Sequence, residues 1–378
     1  MRRLCVVLFT LFVTLLSSVH SVSAQQEILK PSYFTGVTQE ILEERTVDAE
    51  KGLYVQKVSV KRDDTGQLVT VDVGSEFQPL NKSQRLAVGR KVVLSEQQIT
   101  PEERAVVLAD IYRLPTIVWL TLLFAVIVII VGRMRGLSSL TGMAFSILIL
   151  VKFIVPQILA GGNPLVISLI GSLFIGGITL YIAHGLNVKS HIALASMLSS
   201  LVAVAVLSYI SVHSAQLVGL GSEEAYFLQF GNTANINLQG LLLGGIILGA
   251  LGVLDDITVS QVSVVFQLRA AKKDISVKEL YSRGLEVGKD HVASLVNTLV
   301  LAYAGANLPL FLLFMLNDQV PQWVTLNSEI IVEEIIRTVT GSIGLVLAVP
   351  LATFLAATFA VRMPIKKIDS LHDHGHIH

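Results

Sequence analysis

Seven apolar runs, each of roughly 20 residues, fill most of the chain between Leu114 and Val361 and limit what it can fold into. A run that long with almost no charge must satisfy its backbone internally, so it crosses a bilayer as a helix. Of the 378 residues, 52% are hydrophobic and only 15% charged, against about a quarter charged in a soluble domain. The sequence therefore predicts a mainly α fold, a seven-span transmembrane helical bundle over residues 113–363. The spans are expected at Leu114–Gly132, Gly136–Ala160, Pro164–Ile182, Ile192–Val212, Leu238–Thr258, Ala293–Leu316 and Val339–Val361. Lys152 and Pro156 interrupt the second run, and the lysine is expected to snorkel to a surface. Pro350 is expected to kink the seventh. Gly171, Gly176 and Gly177 are read as points where neighbouring helices come close.

Local charge orients the bundle. Alternate loops hold Arg133 and Arg135, then Lys189, then Arg269, Lys272, Lys273, Lys278, Arg283 and Lys289, and finally Arg362, Lys366 and Lys367. The other loops hold almost no cations beyond Arg113 and Arg337. The positive-inside rule then places the N-terminal domain outside and the C-terminus in the cytoplasm. Asp274-Ile-Ser276 followed by Glu279 is helix-start chemistry within the long cationic segment, which is read as a helical hairpin or loop. The net charge is zero, so no nucleic-acid partner is expected; the lipid bilayer is the expected partner, and no cofactor is expected.

Both ends differ from the apolar middle. Residues 1–24 read as a secretory signal: Arg2 and Arg3, an apolar stretch from Cys5 to Leu16, and Val22-Ser23-Ala24 as the cleavage site. Cys5 is the sole cysteine, so the mature chain would carry no disulfide or thiolate site. Residues 25–112 are polar, with short alternating runs at Leu53–Val60, Gln67–Val73, Arg85–Val88 and Lys91–Leu94 and a turn at Asp63–Gly66. This pattern predicts a small extracytoplasmic β-barrel-like domain, a cap or docking module of OB type. Residues 364–378 form a cytoplasmic tail. Its His372, His374, His376 and His378 could bind Zn, Ni or Cu through imidazole.

The chemistry concentrates in three places. In the first, Asp255 and Asp256 end the fifth run, where a charge is expensive and usually faces protein or water. Adjacent helical residues point about 100° apart, so the two are not expected to line one groove. Asp256 shares a face with Ser260, and Asp255 with Thr258, while Gly249 and Gly252 would let another backbone approach. The pair reads as a hydrogen-bonded helix end, as a proton- or cation-coupled translocation site, or as an enzyme site. A metal-dependent phosphotransferase would need further aspartates at helical spacing, and an intramembrane aspartyl protease would need its aspartates on separate helices, so no enzyme is expected. In the second place, Asp290, Ser294 and Asn297 form a helical stripe beside His291 and Thr298, at the same inner level and expected to face the aspartates, with Lys289 able to neutralise one. It reads equally as interhelical hydrogen-bonding glue. In the third, Glu333, Glu334 and Arg337 lie on the opposite side, with Glu333 and Arg337 spaced as an ion pair. They are either simple helix-end charge or the second mouth of one pathway.

The runs Leu251-Gly-Val-Leu-Asp-Asp-Ile-Thr-Val-Ser-Gln261, Asp290-His291 with Ser294–Ala306, and Gly341-Ser-Ile-Gly-Leu-Val-Leu-Ala-Val-Pro350 resemble the YibE/F-like family of bacterial membrane proteins. The resemblance covers about Arg113 to Met363, and the outer β-rich domain fits the same plan, whereas the histidine tail does not. It implies a multipass membrane protein and supplies neither substrate nor catalytic residue. The residues favour a transporter or permease for a small ion or small molecule. The alternative is a non-catalytic membrane scaffold or envelope sensor. A water-filled path to Asp256 would favour transport, and aspartates sealed in a dry helix junction would favour the scaffold.

Overall fold

A computed structural model describes residues 32–98, 104–231, 236–316 and 320–364. The signal segment 1–24 and the histidine tail lie outside the described residues. The described residues up to Ile130 form one compact unit, and those from Val131 onward form another.

The first unit is built on a curled antiparallel sheet of β1 (Ser32–Asp48), β2 (Leu53–Arg62), β3 (Leu68–Val73), β4 (Lys91–Gln98) and β5 (Arg104–Ile111), in the order β3-β2-β1-β4-β5. The edge strands β3 and β5 approach each other, so the sheet forms a half-barrel. Strand β1 makes this possible. Its first residues pair with β4 while the rest pairs with β2. Three register shifts between Thr38 and Asp48 bend it. At Gly36, where both neighbours pair with β1, a Cβ would sit 2.7 Å from Val60 Cγ1 and 2.8 Å from the Lys61 carbonyl oxygen. The alternating residues of β2, β3 and β4 bury Val58, Val60, Val71, Val73, Val92 and Leu94 inside the curl. The turn at Asp63–Gly66 forms as expected.

Arg85–Val88, expected to be a strand, is a loop. Leu86 still enters the core, but the side chain of Gln56 holds its backbone. The Leu86 N–H donates to Gln56 Oε1 at 2.8 Å, and Gln56 Nε2 donates to the Leu86 carbonyl at 3.2 Å. One buried amide side chain thus supplies the pairing that a neighbouring strand would have given. Strand β1, unmarked in the sequence reading, is exposed along most of its second half, where no apolar alternation marks it.

Helix α1 spans Leu114–Ile149, with Arg133 at φ 49°, ψ −129° breaking its geometry. A π-turn, Leu150–Ile154, and α2 (Val155–Leu159) continue it. The π-turn absorbs the N–H missing at Pro156, and Lys152 within it is exposed. Next come α3 (Pro164–His184), α4 (Val188–Ser214), α5 (Glu223–Phe230), α6 (Leu238–Ala271), α7 (Val277–Ala306), α8 (Leu308–Leu316), α9 (Gln322–Leu326) and α10 (Glu329–Arg362). Asn163, Asn187, Ser222, Asn237 and Ser276 cap the starts of α3 to α7 through their side-chain oxygens. The Ser276 cap is the one the sequence predicts, and α6 with α7 forms the expected helical hairpin.

Among the described residues, five helices are long and apolar enough to cross a membrane: α1 with its continuation, α3, α4, α6 and α10. A sixth is added if α7 and α8, bent by 74°, count as one. The expected first two spans are thus one 46-residue stretch with a break at Arg133, because no loop separates them.

Helix α6 is central, packing against α3, α4, α7 and α10. Glycines set the closest approaches: a Cβ at Gly171 would collide with Ile154, at Gly176 with Met197, at Gly288 with Val349, and at Gly344 with Val204. Gly177 meets nothing within 4 Å, so the approach expected there does not occur. Pro350 lies within α10, which is helical on both sides of it. At one end, Gln261 Nε2 donates to the Gly284 carbonyl and to Thr353 Oγ1, both at 2.7 Å, and ties α6, α7 and α10 together.

Candidate functional site

The buried side of α6 carries Leu243, Ile247, Leu254 and Thr258. Its opposite side carries Leu241, Gly245, Leu248, Gly252, Asp255 and Asp256, spaced three or four apart as one stripe. Of that stripe, Gly245, Gly252 and Asp256 are exposed, while Leu241 and Leu248 pack against the π-turn, α2 and α3.

A cavity of about 1000 Å³ is lined by Leu248, Leu251, Gly252, Asp255 and Asp256 from α6. Arg135, Ser138, Ser139, Gly142, Ser146 and Leu150 line it from α1 and the π-turn, and Ile175, Gly176, Thr179 and His184 from α3. At a rise of about 1.5 Å per residue, Arg135 to Leu150 makes the cavity roughly 22 Å long beside α1 and the π-turn. Both aspartates line it, which corrects the expectation that only one would. A 100° separation lets two residues flank a groove this wide. One carboxylate oxygen of Asp255 is buried with no hydrogen-bond donor among the described residues. A buried acceptor without a partner is costly, so the group calls for water, a proton or a cation. Arg135 and Asp256 lie within Coulombic range of the His184 imidazole. The cavity thus holds two carboxylates, a guanidinium and an imidazole. The hydroxyls of Ser138, Ser146 and Thr179 are bonded to their own helix carbonyls.

The other predicted residues divide. Thr258 turns into the core and bonds the Leu254 and Asp255 carbonyls, so it does not face the cavity. His291 does meet the aspartates' level: with Asp256, Ser260 and Gln261 it lines a second cavity of about 180 Å³. Asp290, Ser294 and Asn297 are exposed, as is Lys289, and none of them lines either cavity that the aspartates line. Gly249 meets the Tyr303 hydroxyl at 3.3 Å and Gly252 meets nothing within 4 Å; no backbone approaches either. Local charge marked Arg135 only as a loop cation, Gln261 stood only as the end of the family-like run, and His184 and Thr353 carried no signal. Each becomes significant only through packing between helices.

At the other end, Glu333, Glu334 and Arg337 lie within α10. The expected Glu333–Arg337 pair does not form. Glu333 is 6% exposed and accepts the Gly221 N–H at 3.0 Å. Arg337 instead pairs with Glu334 at 3.5 Å. Glu329 accepts the N–H groups of Val218, Gly219 and Leu220 at 2.8, 2.9 and 3.3 Å, fastening this loop to α10. Behind it lies a third cavity, about 260 Å³, lined by Glu333, Glu334, Arg337, Asn307, Leu241 and Gly245, among others. Arg337 Nε and Glu334 Oε1 are buried without hydrogen-bond partners.

Among the described residues, no group of three or more His, Cys, Asp or Glu side chains is placed to hold a metal ion. His372, His374, His376 and His378 lie outside them.

Neither a curated protein nor a solved structure matches this chain. The family model described as YibE/F-like protein matches residues 120–362, well over half of the chain, and the chain belongs to that family.

Proposed function

We propose that this YibE/F-like chain is a transporter or permease of the bacterial inner membrane, with no catalytic chemistry, in which Asp255 and Asp256 form the ionisable site. The observation that carries this reading is the large cavity that both carboxylates line, with a buried Asp255 oxygen left for water or a cation. A scaffold needs no such cavity, and a dry helix junction would have closed it.

In this reading the bundle has seven spans, with the β domain outside and the C-terminus in the cytoplasm. Length supports the count. The 46-residue stretch from Leu114 to Leu159 is about 69 Å long as helix, twice the roughly 30 Å of a hydrocarbon core. The Arg133 break divides it into two crossings, and α7 with α8 supplies another. Arg133, Arg135, Lys189 and the cations of the α6–α7 hairpin then share the cytoplasmic side, together with the end of the large cavity that Arg135 and His184 line. A reporter fused after Lys367 is active only in the cytoplasm if this holds; periplasmic activity overturns it.

The functional test is flux. In proteoliposomes under an imposed proton or cation gradient, the wild-type chain carries flux, and Asp255→Asn and Asp256→Asn reduce it. Unchanged flux in both variants removes the aspartates from the mechanism.

A further inference from the structure

Helix α6 places an unusual pair of glycines on the stripe that faces the cavities. Glycine in a helix interior costs about 1 kcal/mol relative to alanine, so it usually answers to close packing. Gly240 and Gly244 fit that rule: a Cβ at Gly240 would sit 3.1 Å from Pro164, and one at Gly244 would collide with Ser168. Gly245 and Gly252 do not. A Cβ at either position meets nothing within 4 Å. Gly245 lines the small cavity of Glu333, Glu334 and Arg337, and Gly252 lines the large one of Asp255 and Asp256.

Between them on the same stripe stands Leu248, part-buried against the cluster formed by the π-turn, α2 and α3. From Gly245 to Leu248 is three residues, about 4.5 Å of helix. The two cavities therefore approach within about one turn along one face of one helix. Their ionisable groups are also alike. Each holds two carboxylates against one arginine, and the large cavity adds the His184 imidazole. In the small cavity a guanidinium nitrogen and a carboxylate oxygen are buried without partners.

We infer that the two cavities are the half-sites of a single path for a small monovalent cation along α6, kept open by Gly245 and Gly252 and closed between them by Leu248. This rests on the transport reading above. It adds the second half-site, the class of cargo and the barrier. An excess carboxylate at each end favours a cation, and a passage one glycine wide excludes a bulky solute. An apolar constriction flanked by polar cavities is a recognised way to gate a pore.

Cysteine accessibility tests the path independently of cargo. In a Cys5→Ser chain, Gly245→Cys, Gly252→Cys and Ile247→Cys are exposed to a membrane-impermeant cationic methanethiosulfonate in right-side-out and inverted vesicles. Gly252→Cys reacts from the cytoplasmic face and Gly245→Cys from the outer face, while Ile247→Cys, on the buried side, reacts from neither. In proteoliposomes loaded with sodium or potassium and a pH dye, Gly245→Leu abolishes the wild-type flux and Leu248→Ala increases it. A gain of flux does not arise from misfolding. The inference is overturned if Gly245→Cys is unreactive from both faces, or if Gly245→Leu and Leu248→Ala both carry wild-type flux. If the wild-type chain itself carries none of these ions, the transport reading fails with it. Flux that depends on Asp256 but ignores Gly245 and Leu248 removes the path alone.

Discussion

Gly344 and Gly245 both interrupt apolar helices, and nothing local in the sequence separates them. A Cβ at Gly344 would run into Val204, which is fully buried and, being β-branched, stiff in its rotamer. Gly344→Ala should therefore destabilise the bundle by about 1–3 kcal/mol, the usual cost of overpacking. Gly245→Ala adds a methyl group to open space and gains helix propensity, so it should stabilise by up to about 1 kcal/mol. Thermal unfolding in detergent should show the two midpoints moving in opposite directions. Gln56 is a similar case in the β domain. It is 1% exposed and satisfies both backbone groups of Leu86. Gln56→Leu should cost about 2–3 kcal/mol, because buried polar groups are then left unpaired, and a urea titration would measure it. At this scale the sequence was informative only where chemistry was conspicuous. Two aspartates ending an apolar run could be read directly. Gln261 and His184 could not, because their partners come from helices distant in sequence.

Among the elements, strands were legible where one face alternates and illegible where it does not. β2, β3 and the first half of β4 follow from their valines, whereas β1 is too polar along its second half and Arg85–Val88 alternates without pairing. Arg337 was read as lying outside a span because charge there resembles a loop; α10 begins at Glu329, so Arg337 belongs to the same helix as the apolar run that follows. The sheet also has a specific pH response. Asp64 is pulled down to about 2 by its bidentate bond from Arg62, at 3.0 and 2.8 Å. Bonds from Thr35 and Lys91 hold Asp63 below its ordinary range, the bond from Arg85 does the same for Glu44, and that from Arg113 for Asp110. A depressed carboxyl pKa contributes stability above the unfolded value and loses it as pH falls through the folded one. The domain should thus be fully stable above about pH 5 and weaken between about pH 4 and 2. Urea midpoints of a 25–113 fragment, which keeps Arg113, at a series of pH values would check this. A midpoint independent of pH across that window would contradict it.

For the whole molecule, the β half-barrel has its own valine-rich core and forms a compact unit, so residues 25–112 should fold when expressed alone. A dispersed amide spectrum would confirm it, and a collapsed one would show that the domain needs the rest of the chain. The membrane class and the helical bundle were legible from apolar run length alone, since a bilayer imposes that length. The cavities were not, because they are gaps between helices and depend on which face each helix turns inward. The proposed function rests on Asp255 and Asp256 exchanging protons for a cation, and proton release on cation binding tests that most directly. When sodium or potassium is titrated into weakly buffered purified protein with a pH dye, the wild-type chain should release protons and the Asp255→Asn, Asp256→Asn double variant should release none. Equal release from both proteins, or none from the wild type with either ion, would contradict the account.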